Sequence, residues 1–157
     1  MSPFLRRSLP VPALLVALAL SACGTSSDKK AANAYVGEVN GIQNTVAAQF
    51  RQAGAALAPT SSLTEDRKAL GQFEQAITTA VAKFKAVKAP KKVAALHQDL
   101  IDEVGSYQQT IATARKALGG NTADALARAQ SAFATGTAQT SNAITTTISE
   151  INRKLHE

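Results

Sequence analysis

Cysteine occurs once in the 157 residues, at Cys23, and tryptophan does not occur at all. A single cysteine cannot close a disulfide within the chain, so packing alone has to hold the fold. Five Phe and two Tyr are the only aromatic residues, and a core built from this chain is mostly aliphatic and small. Histidine is limited to His97 and His156. Carboxylate-bridged metal sites in helical bundles use inward-facing Glu-x-x-His pairs, and neither histidine has a glutamate three residues before it. No nucleophile motif, P-loop or dinucleotide fingerprint is present, and no serine has a neighbouring histidine to activate it. These absences argue against an enzyme, and no cofactor or metal is expected. Acidic residues are also scarce, 11 against 17 Lys and Arg, for a net charge of +6. The chain is basic (pI ≈ 9.7) but lacks the aromatic–basic interleaving of RNA-binding modules, so no nucleic-acid partner is expected.

What is present begins at the N-terminus. Arg6 and Arg7 precede a mostly apolar stretch from Leu9 to Leu20, the charged and apolar regions of a secretory signal peptide. With Pro10 and Pro12, the stretch is too short for a spanning helix, which needs about 20 apolar residues. Ser21 and Ala22 then separate Leu20 from Cys23. This "LSAC" resembles the lipobox of bacterial lipoprotein precursors, which runs aliphatic, small, small, Cys. The resemblance implies a diacylglyceryl group on the Cys23 sulfur and cleavage of residues 1–22 just before it. Two acyl chains on one residue give stable anchoring, where one is marginal. The "RR" pair also resembles a twin-arginine export signal, departing from it at Leu5, Pro10 and Val11.

Residues 23–33 read as the lipidated cysteine and a flexible, polar tether. The remainder, 34–157, reads as one domain of four helices. Tyr35, Val39, Ile42, Val46, Phe50, Ala53 and Leu57 recur at spacings of three and four, and Pro59 ends that helix. Ser62 and Glu65 are spaced as a capping box ahead of Leu70, Phe73, Ile77, Val81, Phe84 and Val87. Pro90 suits the first turn of the third helix, which presents Val93, Leu96, Leu100, Val104, Tyr107, Ile111, Ala114 and Leu118 before the Gly119-Gly120 stop. Asn121 or Thr122 caps the fourth, with Leu126, Ala129, Phe133, Thr140, Ile144, Ile148, Ile151 and Leu155. Short connections make neighbouring helices antiparallel. The expected fold is all-α, an up-down-up-down antiparallel four-helix bundle. Glycines within the helical pattern (Gly37, Gly41, Gly54, Gly71, Gly105, Gly136) are expected where helices approach closely, since each costs up to about 1 kcal/mol against Ala.

Three groups of residues are candidates for function. Gly136, Thr137, Thr140 and, from the third helix, Tyr107 form a small, hydroxyl-rich stretch that either lines a ligand cavity or packs tightly, with Thr hydroxyls bonded back along the helix. His97, Asp99, Asp102 and Glu103 cluster in sequence and read as an exposed polar face rather than a cation site. The basic residues Lys29, Lys30, Lys83, Lys85, Lys88, Lys91, Lys92, Arg153 and Lys154 fall at one end of such a bundle, the end nearest Cys23. There they face anionic lipid head groups, at about 1 kcal/mol each close to a charged surface, or complement helix macrodipoles.

The overall layout and "KAPKKVAALHQDLIDEV" (Lys88 to Val104) are similar to small Ala-rich helical lipoproteins of high-GC Gram-positive bacteria. That resemblance carries over no catalytic residue. The expectation is an extracytoplasmic, membrane-anchored, non-enzymatic lipoprotein acting through protein or envelope contacts as a structural or accessory subunit. The alternative is a carrier or sensor holding a small ligand among its helices.

Overall fold

Each of the four apolar-periodic stretches is a helix in the computed structural model, which describes residues 26–55, 62–120 and 123–157. The helices are α1 (Ser26–Ala55), α2 (Leu63–Ala86), α3 (Ala94–Ala117) and α4 (Ala123–His156), with no strand among the described residues. The signal peptide 1–22, Cys23, Leu57, Pro59, Asn121, Thr122 and the side chain of Leu126 lie outside the described residues.

α1 starts at Ser26, inside the stretch expected to be a flexible tether. No Gly or Pro interrupts "KKAAN", whose Lys and Ala residues favour helix, and Asp28 sits in the first turn, where it opposes the positive end of the macrodipole. Ala32 is already part of the core. Burial therefore reaches further toward the N-terminus than the apolar stripe alone indicates.

The other boundaries follow local chemistry. Ser62 and Glu65 form the capping box: the Ser62 amide donates to Glu65 Oε2 at 2.6 Å, and the Glu65 amide donates to Ser62 Oγ at 3.3 Å. α2 ends at Ala86, and the N–H of the capping residue Val87 returns to the Phe84 carbonyl at 3.0 Å. Pro90 does not lie in the first α-turn of the third helix. It precedes a short 3₁₀ turn, Lys91–Val93, closed by the Val93 amide on the Pro90 carbonyl, and α3 begins after it. A second 3₁₀ turn, Leu118–Gly120, follows α3.

Side chains from all four helices fill the centre. Val39, Ile77, Leu100, Ile111, Ile148 and Ile151 are fully buried. Aromatic rings connect the helices in series: Tyr107 of α3 meets Phe50 of α1 at 5.8 Å, Phe50 meets Phe73 of α2 at 4.8 Å, and Phe73 meets Phe133 of α4 at 5.4 Å. The first two contacts are edge-to-face, a favoured geometry for ring quadrupoles. α1 packs along α2, α2 along α3 and α3 along α4, whereas α1 and α4 approach less closely.

The expectation for glycines fails at most positions. A Cβ placed at Gly37, Gly41, Gly71 or Gly105 would meet nothing within 4 Å, so these residues face open space. Gly136 is different: a Cβ there would lie 2.6 Å from Thr110 Oγ1. It alone of these five marks a close helix approach, between α3 and α4.

Candidate functional site

His97 is the first side chain whose place differs from the sequence reading. It is only 6% exposed, while Leu96, expected in the stripe, is half-buried. The imidazole Nε2 lies 3.0 Å from the Phe84 carbonyl, and Nδ1 lies 3.2 Å from the Tyr35 hydroxyl. A carbonyl can only accept, so Nε2 carries the proton and Nδ1 accepts from Tyr35. Burial pushes the Tyr35 phenol well above its ordinary range, which keeps it a donor. Rings of Tyr35 and Phe84 pack edge-on against the imidazole. His97 is thus a satisfied core residue facing away from the Asp99 and Asp102 carboxylates, which are exposed. No group of three or more His, Cys, Asp or Glu among the described residues is placed to hold a metal.

These contacts gather the early part of α1, the end of α2 and the start of α3 at one place. Lys92 brings in the end of α4, since its ammonium donates to the Leu155 carbonyl at 3.1 Å. The nine basic residues expected at this end divide by what they touch. Lys92 caps α4, and Arg153 and Lys154 both pair with Glu157, at 2.6 and 3.8 Å. Lys29, Lys30, Lys83, Lys85, Lys88 and Lys91 are exposed. Lys83 and Lys85 lie in the last turn of α2, and Arg153 and Lys154 in the last turn of α4, where cations complement the macrodipole. Away from this end, Arg67 donates to the Leu118 carbonyl at 3.0 Å, and Arg115 pairs with Glu74.

The hydroxyl-rich stretch of α4 splits into two flanks. Thr140 Oγ1 lies 3.1 Å from Ser106 Oγ, and Thr147 donates to Glu103 Oε1 at 2.8 Å. With Gly136 against Thr110, that flank faces α3. Its outer rim is an open groove of about 500 Å³ lined by Thr110, Arg128, Thr135 and Gly136 among others. Glu103 is half-buried. Burial raises its pKa, the Thr147 hydrogen bond opposes that rise, and the carboxylates of Asp99 and Glu150 add to it.

The inner flank is less satisfied. Tyr107 and Thr137 are 1% and 3% exposed, and neither hydroxyl has a partner at hydrogen-bonding geometry among the described residues. Burial pushes the Tyr107 phenol up to about 12, with the neighbouring Ser141 hydroxyl pulling the other way. Gln43 Nε2 and Asn152 Oδ1 are also buried without partners. Neither residue is marked out as a site by the sequence. Further along α4, Thr145, Thr146 and Ser149 bond back to the preceding turn.

No protein-family model, curated protein or solved structure matches the chain. No helix among the described residues is long and apolar enough to cross a membrane.

Proposed function

We propose that the protein is an extracytoplasmic lipoprotein, anchored to the cell membrane through a diacylglyceryl group on Cys23. Its helices are arranged up-down-up-down and antiparallel, and it acts without catalysis, as a structural or accessory subunit in contact with envelope components. The observation that carries this reading is the position of the exposed lysines. Lys29 and Lys30 begin α1 shortly after Cys23, and Lys83, Lys85, Lys88 and Lys91 flank the turn that Tyr35 and His97 hold beside α1. The antiparallel arrangement is supported by the Tyr35–His97, His97–Phe84 and Lys92–Leu155 contacts and by Arg67 reaching Leu118 between the start of α2 and the end of α3.

In this orientation the lysines face anionic head groups and set the domain upright on its anchor, each adding about 1 kcal/mol near a charged surface. Two measurements test the reading. The intact mass of the membrane-extracted chain is expected to begin at a diacylated Cys23, and Cys23→Ala is expected to leave the membrane fraction. The unlipidated domain is expected to bind anionic vesicles, and Gln at Lys83, Lys85, Lys88 and Lys91 to weaken that binding. Lys92 stays in that variant because it caps α4. Equal binding of both forms would remove the head-group role, and a chain retaining residues 1–22 would remove the anchor.

A second reading, a carrier or sensor of a small ligand within the helices, is favoured by one observation. The Tyr107 and Thr137 hydroxyls are buried and unpartnered, an arrangement that native cores generally avoid.

A further inference from the structure

Helical spacing sets two short strips of glutamine against each other. Gln49, Gln52 and Ala53 share one face of α1, and Gln72, Gln75, Ala76 and Thr79 share one face of α2, at steps of three and four. The Phe50–Phe73 contact holds these stretches side by side, and together they line a groove of about 230 Å³. By helix rise the groove covers about 6 Å of α1 and about 10 Å of α2, so its polar groups lie within reach of one small molecular unit. Ala53 and Ala76 are buried and form the floor, while the four glutamines and Thr79 are exposed at the rim.

The polar lining is four carboxamides and one hydroxyl, and none of them bonds another side chain or the backbone among the described residues. No charged side chain among the described residues lines the groove. Arg51 falls on the opposite side of α1, and Glu74 turns to Arg115 of α3. Lys68 and Lys83 stand about one turn beyond either end of the α2 strip. A carboxamide presents N–H donors and a carbonyl acceptor side by side, so it can close two bonds with another amide, and either edge can pair with a hydroxyl. An anion would use only the N–H edges, with no counter-charge in the groove to offset its lost hydration. A hydrocarbon would displace water from all four carboxamides and return no hydrogen bond. The unit that answers every feature carries an amide, a methyl and hydroxyls close together, the polar groups for the rim and the methyl for the alanine floor. A peptide supplies the amide without the adjacent hydroxyls; a sugar with an acetamido substituent supplies all three.

We propose that the α1–α2 groove binds an N-acetylated amino sugar, as one unit of an envelope glycan, through Gln49, Gln52, Gln72 and Gln75. The proposal rests on the envelope-contact reading, in which the groove, about 35 Å along α1 from Ser26, lies away from the membrane. The test is a titration of the full-length protein, extracted in mild detergent, with N,N′-diacetylchitobiose, followed through the glutamine side-chain amide signals by NMR. Cellobiose, which has the same linkage and no acetamido group, is the control. The expected result is saturable shifts of the four groove glutamines with diacetylchitobiose and none with cellobiose. Gln52→Ala and Gln75→Ala should each weaken binding roughly tenfold, as the loss of one or two hydrogen bonds does, with thermal melting unchanged. Equal shifts with cellobiose would overturn the acetamido recognition, and stronger shifts with N-acetylalanine methylamide would assign the groove to peptide instead. No shift with any probe would overturn the site. The envelope-contact reading would then still stand or fall on the mass of Cys23 and the vesicle measurements, which do not involve this groove.

Discussion

The Tyr35 hydroxyl donates to His97 Nδ1 across 62 residues of sequence, at 3.2 Å, in a site that excludes water. Removing the donor leaves a buried nitrogen unpaired, which costs more than the net value of a typical hydrogen bond. Tyr35→Phe is expected to lower stability by about 1–2 kcal/mol, read as a shift in urea midpoint with unchanged slope. In a double-mutant cycle with His97→Leu the two losses should not add, because both changes remove the same bond. Additive losses would mean the bond contributes nothing.

Gly136 and the open-face glycines should respond in opposite directions to alanine. At Gly136 the new methyl would stand 2.6 Å from Thr110 Oγ1 and 3.1 Å from its Cβ. The second distance is not relieved by a rotamer change, so the α3–α4 contact has to open. Gly136→Ala is expected to cost about 1–3 kcal/mol, as overpacking does, and Thr110→Ala should recover part of it. Gly105→Ala meets nothing within 4 Å and should gain up to about 1 kcal/mol from helix propensity. Thermal melts of the two single variants decide this.

Glu103 makes stability depend on pH with a definite sign. Its folded pKa is raised, by burial first and then by Asp99 and Glu150, so the folded state holds its proton more tightly than the unfolded chain. That contribution is fully present below the unfolded value of about 4.3 and is lost as pH rises through the raised folded value. Glu103→Gln keeps an acceptor for Thr147 and removes the charge. It should melt higher than the native chain at pH 7.5, with the difference shrinking toward pH 4. A constant difference across that range would assign the effect to packing instead.

The capping box gives the opposite sign. Glu65 is held below the usual carboxylate range by the Ser62 amide and then the Ser62 hydroxyl, so its contribution is present above the unfolded glutamate value and fades as pH falls through the lowered one. Ser62→Ala is expected to cost about 1 kcal/mol at neutral pH. The gap between variant and native urea midpoints should narrow on acidification. A gap that widens would place the loss elsewhere in α2.

Much of the architecture could be read from residue spacing, and the failures have physical causes. Four helices, the capping box at Ser62 and most of the apolar stripes follow from periodicity and turn chemistry. The start of α1 is not legible, because Lys and Ala in a polar stretch look like linker, and only packing shows that Ala32 is buried. The polarity of imidazole sets His97 beside the stripe in a reading from residue type. Yet Val93, His97, Leu100, Val104, Tyr107, Ile111, Ala114 and Leu118 alternate strictly by fours and threes, a cleaner register than one running through Leu96. Val81 gave way to Ala80 in the same fashion. Of the cavity residues, Tyr107 and Thr137 fall on the inner flank, while Gly136 and Thr140 face α3. Which flank of a stripe meets which neighbour depends on packing between distant helices, and one chain's spacing does not contain it. Gln43 and Asn152 were illegible for the same reason.

Tyr35 is the first large core side chain of α1, and its partner His97 shares the Phe84 carbonyl with the Val87 amide. A pull on the chain ahead of Ser26 would therefore be taken up lengthwise by α1 and meet a hydrogen-bonded stop within its first three turns. From there the load passes into the corner between α2 and α3, so tension arriving from the N-terminal side is resisted by three helices in shear before α1 can slide along its apolar stripe.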